Sequence, residues 1–251
     1  MTDSMETAPH SGVDYSPSVR EAIVATSAAL STDEDALKRR FSRLRPIKLE
    51  LVYEFTKDPA LLHQYHEIYE REFRTVHDAN SYHTVEDDHD RRAHILVVRR
   101  GNFCVGGARI NITSPRQPHP LPIEIGDFKI DDHFPQLRQK ELSYGQLGRF
   151  CLLPEFRGGM ITRMMFWHIH RKSVALGLSE LFGTATKIGV RSYKRDCRAI
   201  GLEAKIHPDI ELPTYPMCDE IKFFLISAQL DKKPLESDKD FIDVGSLREE
   251  V

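Results

Sequence analysis

The chain has 251 residues, with 35 Lys and Arg against 38 Asp and Glu, and a formal net charge of −3. So even a balance gives no electrostatic support for nucleic-acid binding or for an anionic membrane surface. No apolar run approaches the roughly 18 residues needed to span a bilayer. Four cysteines, Cys104, Cys151, Cys197 and Cys218, contain no Cys-x-x-Cys pair, so neither a disulfide framework nor a zinc site is implied. Cys104 and Cys151 lie in apolar runs and are expected to be small buried hydrophobes. The acidic, polar start MTDSMETAPHSG lacks the basic and apolar regions of a signal peptide, so a cytoplasmic protein is expected.

In chain order, residues 1–45 read as an N-terminal arm: a Ser-, Pro- and acid-rich stretch followed by two short helical candidates, SVREAIVATSAAL and DEDALKRRFSRL. The second carries acids early and bases late, as the helix dipole favours. The main domain is expected at 46–230. KLELVYEF alternates as a half-buried strand does. In DPALLHQYHEIYEREF, Leu62, Tyr65, Ile68, Tyr69 and Phe73 fall near helical spacing. The polar stretch HDANSYHTVEDDHDRR predicts a loop. HILVVRR and NFCVGGARINI predict a hairpin turning at Gly101-Asn102. A Pro-rich break follows, and then IEIGDFKI, either a short strand or an excursion.

Next come a strand, YGQLGRFCLL; a turn, PEFRGG; a long helix, MITRMMFWHIHRKSVALG; a strand, SELFGTA; and a helix, KIGVRSYKRDCRAIG. KIHPDIEL and EIKFFLISAQL supply the last strands. Residues 231–251 form a charged tail. The order predicts an α/β fold: a mixed sheet with helices on its faces.

Three features bear on chemistry. Pro154 removes a ladder donor and ends its strand, and Arg157-Gly158-Gly159 then opens a helix whose first N–H groups are unpaired. That arrangement suits either an ordinary connection or a pyrophosphate cradle to which Arg157 adds charge. Arg109 and Arg149 sit inside apolar strand patterns, where an unpaired charge would be costly, so both are expected to pair with acids, with Asp87 or Asp90 as a partner. Lys187, Arg191, Lys194, Arg195 and Arg198 on one helix, with Arg157 and Arg163 on another, form either a solvated face or a landing surface for an acidic protein. The twelve histidines have no metal-ligand spacing, and no metal is expected.

LLPEFRGGMITRMMF resembles the Arg/Gln-x-x-Gly-x-Gly/Ala motif of the GNAT superfamily of N-acyltransferases, with Arg157 in the first position and Met160 and Thr162 where small residues are usual. Three further stretches resemble the acyl-homoserine-lactone synthases and long-chain N-acyl amino acid synthases. These are YEREFRTVHDANSYHTVEDDHD, with the acidic pair Asp87 and Asp90; HILVVRRGNFCVGGARI, ending in Arg109; and QLGRFCLLPEFRG, in which Arg149 and Phe150 match an E-x-x-R-F box and Gln146 replaces its Glu.

The resemblance implies a GNAT-like, splayed mixed sheet flanked by helices. It implies transfer of a medium or long acyl chain from a phosphopantetheine thioester, on acyl carrier protein or coenzyme A, to the amine of an amino acid, with no permanently bound cofactor. The alternatives are a lactone synthase using S-adenosylmethionine, an acetyltransferase using acetyl-coenzyme A, and a non-catalytic acyl-binding domain. In this reading Phe150, Cys151, Leu152 and Leu153 offer a strand edge and N–H groups to the pantetheine, and Arg157 to Met160 hold its phosphate end. Asp87, Asp90, Arg109, Gln146 and Arg149 frame the acceptor. Glu124 or Asp127 takes a proton, and Tyr193 gives one to the leaving thiolate. Phe166, Trp167, Phe182 and the Phe223-Phe224 pair are candidates to line an acyl tunnel.

Overall fold

A computed structural model describes residues 51–77, 82–83, 86–214 and 221–230, all within one compact unit, Leu49–Val251. The expected arm 1–45, the tail 231–251 and Cys218 lie outside the described residues. The elements are β1 (Leu51–Thr56), α1 (Pro59–His77), α2 (Asp88–Arg92), β2 (His94–Arg100), β3 (Phe103–Thr113), α3 (Ile130–His133), α4 (Pro135–Gln139), β4 (Tyr144–Leu152), α5 (Gly159–Ala175), β5 (Glu180–Ala185), α6 (Lys187–Ala199), β6 (Ala204–His207) and β7 (Phe224–Gln229). A 3-10 turn, Pro154–Phe156, joins β4 to α5. Among the described residues no helix is long and apolar enough to cross a membrane.

The seven strands form one sheet in the order β1-β2-β3-β4-β5-β7-β6. Every neighbouring pair is antiparallel except β4 and β5. That single parallel pair is short. β4 has nine residues, yet it pairs with β5 only from Tyr144↔Glu180 to Leu147↔Gly183. Beyond Leu147 the two strands part: β4 continues beside β3, while Thr184 and Ala185 of β5 pair only with β7. The sheet is therefore mixed and splayed at its centre, as the sequence resemblance implies.

Alternation along each strand divides the core in two. On the back face, Leu96, Val98, Ala108, Ile110, Leu147, Leu181 and Ile226 pack against Met164, Met165, Trp167 and Ile169 of α5 and Val190 and Cys197 of α6. On the front face, Ile95, Val97, Cys104 and Cys151 meet Leu61, Tyr65 and Ile68 of α1. Each Val, Leu, Ile and Met among them contributes about 1.5–3 kcal/mol by leaving water. Helix α1 sits so close to the sheet that a Cβ on Gly107 would collide with the Leu96 carbonyl and lie 2.8 Å from the Tyr65 ring. Glycine at 107 is thus the condition for Tyr65 to reach the sheet.

Residues 121–139 resolve as an excursion rather than a strand. Leu121, Ile123, Ile130, Phe134 and Leu137 are buried against Tyr144, Phe182 and Leu225 on the front face. Their backbone is organised by turns and by α3 and α4, not by a ladder. The loop expected before β2 likewise contains a short helix, α2. Asp87 caps it in a capping box with Asp90.

On the back face, His168 of α5 stacks on Tyr53 of β1, with ring centroids 5.1 Å apart and planes 9° apart. Burial, with Arg171 nearby, pulls the His168 imidazole down to about 4. An unfolded histidine titrates near 6.5. As pH falls below that value the unfolded chain takes up a proton that the folded chain refuses, so stability drops until the folded group itself protonates near pH 4. Between pH 7 and pH 5 this group is expected to cost about 2 kcal/mol. Urea unfolding at both pH values should show His168→Phe flattening the dependence by that amount; an unchanged pH dependence in the variant would refute the assignment.

Candidate active site

The site is built around one irregularity in β4. Register runs from Arg109↔Gly148 to Gly107↔Cys151, so Arg149 and Phe150 together oppose the single residue Ala108. This is a β-bulge, and Arg149 adopts φ 49°, left-handed and unusual for a residue with a Cβ. Such a conformation costs about 1–3 kcal/mol and persists only when its surroundings enforce it. Contacts from α1 and from Asp90 do so. Tyr65, fully buried in α1, donates its hydroxyl to the Arg149 carbonyl at 2.8 Å. The Arg149 guanidinium bonds Asp90 Oδ2 at 2.8 Å and reaches His66 Nδ1 at 3.2 Å. It also lies over the Tyr69 ring.

The bulge changes which side chains face which way. Gly148 and Cys151 lie on the front face although three residues apart, and the extra residue turns Arg149 to the front as well. Phe150 turns to the back. It stacks on Phe166 of α5 at 5.1 Å, and Tyr193 of α6 meets both rings edge-on at 5.9 and 5.2 Å.

On the front, four charges interlock. Arg109 donates to Asp90 Oδ1 at 2.6 Å and lies 3.3 Å from Asp87 Oδ1, while Arg149 spans Asp90 Oδ2 and, at 3.4 Å, Asp87 Oδ2. The pairing expected from sequence is present with both aspartates at once. The Asp90 side chain is 1% exposed and the Asp87 side chain 41%, so Asp87 is the member open to solvent. Burial pushes the Asp87 carboxyl up, but Arg109, the Asp90 amide and Arg149 outweigh it and hold it below the usual carboxylate range. Because a guanidinium only donates, His66 Nδ1 must accept, which puts the imidazole proton on Nε2. Burial and Arg149 keep this ring's pKa low despite Asp90 nearby.

The other sequence candidates are spread over the surroundings. Gln146 is buried and accepts from the Ile123 amide at 2.8 Å. Glu124 accepts the amides of Leu121 at 2.7 Å and Ile130 at 3.0 Å, one on each oxygen, and so ties the excursion together. Asp127 is exposed on the turn after Gly126. Arg157 does not point freely at a phosphate site: its Nε donates to the Leu152 carbonyl at 3.1 Å, and its Nη2 pairs with Glu72 of α1, which is buried. Gly158 precedes α5 with no side-chain cap, and the Thr162 amide bonds back to the Gly158 carbonyl, so the amides of Gly159, Met160 and Ile161 precede the first helical bond. Cys151 and Leu152 are buried, and Leu153 donates its amide to the Val105 carbonyl.

Beneath the splay is an apolar cavity of about 40 Å³, bounded by Leu147 of β4, Phe182 and Gly183 of β5, Phe166, Ile169 and His170 of α5, Tyr193 and Cys197 of α6, and Ile226 and Ser227 of β7. Phe166 and Phe182 of the tunnel candidates line it. Trp167 packs into the back core, Phe224 joins that core's margin, and Phe223 meets His77 of α1.

Sequence reasoning missed Tyr65, His66 and Glu72 as parts of the site. Leu61, Tyr65, Ile68 and Glu72 form the buried stripe of α1. A carboxylate at the last stripe position was the available signal that a cation would meet it.

Residues 65–167 match the family model of the acetyltransferase (GNAT) domain. The fold is similar to that of FeeM, an N-acyl amino acid synthase from uncultured soil microbes, at 13% identity, covering 73% of this chain and 91% of that one, with a TM-score of 0.51. Matches also include the AHL synthase LasI, at 14% identity, 72% and 91% coverage and a TM-score of 0.48. A third is YncA, a putative acetyltransferase from Salmonella typhimurium with acetyl-CoA, at 14% identity, 73% and 95% coverage and a TM-score of 0.43. No curated protein sequence matches the chain. The chain has the GNAT-superfamily acyltransferase fold.

The charge cluster sets a measurable hierarchy. Asp90→Asn leaves two buried guanidinium groups sharing one half-exposed carboxylate and is expected to cost roughly 3–5 kcal/mol. Asp87→Asn should cost less than half as much, because water reaches that position. Chemical denaturation of both variants checks the order, and an equal loss from the two would refute burial as the cause.

Proposed function

We propose that the protein transfers a medium or long acyl chain from a phosphopantetheine thioester to the amine of an amino acid or related metabolite. The observation that carries this reading is the open length of β4 beyond Leu147, unpaired with β5, which begins at the residues Leu147 and Gly183 that also line an apolar cavity. An extended pantetheine arm can add to such an edge as a strand would. The cavity's lining of Leu147, Phe166, Ile169 and Phe182 matches the chemistry of an alkyl chain, and at about 40 Å³ it holds only the first atoms of one, so a medium or long chain must extend past it or widen it. A thioester is already activated, so positioning the amine and stabilising the developing oxyanion are the main requirements. The N–H groups around Phe150 are the proposed oxyanion donors. Tyr193, edge-on to Phe150, is the proposed donor to the leaving thiolate. Asp87, ionised and partly exposed, suits the acceptor's ammonium, with Arg109, Arg149 and Asp90 fixing its place.

The thioester carrier is proposed to be an acidic acyl carrier protein. Lys187, Arg191, Lys194 and Arg198 recur at i, i+4, i+7 and i+11 along α6 and are all exposed. Ile188, which follows Lys187 in the same helix, is left in water at 82% exposure, as is Met160 at the start of α5 at 57%. Arg157 is meanwhile neutralised by Glu72, which weakens the cradle for a nucleotide diphosphate.

Thiol release with product masses, measured with long-chain acyl carrier protein, long-chain acyl-coenzyme A and acetyl-coenzyme A against an amino acid pool, tests the reaction. Acceptor-dependent release with an N-acyl amino acid formed is the expected result. A lactone made only with S-adenosylmethionine, or release from acetyl-coenzyme A alone, would replace this reading by one of its alternatives. The Arg191→Glu/Lys194→Glu double variant is expected to raise KM at least tenfold for the carrier-protein donor and to leave KM for acyl-coenzyme A within about threefold. Equal effects on the two donors would rule out α6 as the docking face.

A further inference from the structure

Tyr65 is 84 residues from Arg149 in sequence, and its hydroxyl is hydrogen-bonded to the Arg149 carbonyl at 2.8 Å. That carbonyl belongs to the peptide unit that ends in the Phe150 N–H. The unit is trans, as are all those described, and in a trans peptide the N–H points opposite to the C=O. The carbonyl is drawn toward α1 on the front face. The Phe150 N–H is therefore directed away from α1, toward the side on which the rings of Phe150, Phe166 and Tyr193 meet and the cavity lies. Arg149 and Phe150 together stand opposite Ala108 in the bulge and lie past the stretch of β4 in register with β5. The Tyr65 hydroxyl is a contact that holds this peptide plane from outside the strand.

Tyr65 is itself closely packed. It is fully buried, and its ring packs against Gly107, where any larger residue would collide. Its neighbour His66 meets the guanidinium of the same arginine, so one turn of α1 grips both the backbone and the side chain of Arg149.

We infer that Tyr65 is a positioning residue for acyl transfer: its hydroxyl sets the Arg149–Phe150 peptide plane and so aims the Phe150 N–H at the thioester oxygen as negative charge develops there. This rests on the acyl-transfer reading above. An oxyanion donor acts through prior alignment, so a plane free to rock loses rate rather than donor binding.

The test is Tyr65→Phe, which deletes one oxygen and keeps the packed ring. The expected result is a fall in kcat of roughly ten- to a hundredfold, with KM for the donor changed less than threefold. In the unliganded protein, hydrogen exchange of the Phe150 amide should rise at least tenfold while the amides of Ile95 and Val97 in β2 stay unchanged. Ile68→Val, buried on the same helix stripe, controls for lost stability and should leave kcat unaltered. The inference is overturned by an unchanged kcat, by a kcat loss matched in the control variant, by a KM rise as large as the kcat loss, or by exchange that accelerates equally across β2 and β4. If the wild-type protein releases no thiol from any donor, the acyl-transfer reading fails instead; the Phe150 exchange measurement still decides whether Tyr65 sets the peptide plane.

Discussion

One extra residue in β4 governs the arrangement of the whole site. Without the bulge at Arg149 and Phe150, side chains would keep strict alternation, and Arg149 and Phe150 would exchange faces. The guanidinium would then enter the apolar back layer and the phenyl ring the charged front one. With the bulge, one dipeptide serves both layers: charge toward Asp87 and Asp90, aromatic surface toward Phe166 and Tyr193. The irregularity also falls just past Leu147, the last β4 residue paired with β5, so the strand bends away from its parallel neighbour where the gap opens.

The bulge cannot hold itself. A left-handed arginine needs external enforcement, and α1 supplies it because Gly107 allows the helix to approach within reach of a hydroxyl. The interlocked aspartates and arginines add a second restraint. Buried charges like these make a weak case for net stability but a strong one for a single geometry, since any displacement leaves a desolvated charge without its partner. The same helix engages Arg157 through Glu72, so α1 braces β4 and also the turn that leads into α5.

Much of this was legible in the sequence, for reasons that differ by element. The strands and long helices carry strong periodicity or punctuation, and Pro154 and Gly101-Asn102 mark their ends. The coupling of Arg109 and Arg149 to Asp87 and Asp90 followed from the cost of a bare charge in an apolar strand. The spacing of Asp87 and Asp90 had a second meaning that was not drawn: it is also that of a capping box, and the two side chains hold the end of α2 as well as the arginines. The excursion at 121–139 was ambiguous because its apolar residues are buried by contacts from β4, β5 and β7, which no local pattern records. Glu124 was a candidate proton acceptor in sequence, yet its oxygens accept the backbone amides of Leu121 and Ile130. The bulge itself left no mark, because Arg-Phe has no local preference for a left-handed first residue; the contacts that impose it come from α1.

The separation between Tyr65 and Arg149 also bears on how the molecule assembles. A contact across 84 residues encloses a long loop of chain, and its closure entropy must be met before the hydrogen bond is gained. The hairpin of β2 and β3 closes locally and can form early, whereas the bulge becomes enforced only after β4 has joined β3 and α1 has docked over Gly107. The left-handed arginine is therefore among the last features of the native state to mature. A nascent chain released before β4 has emerged would hold α1, β2 and β3 but no site.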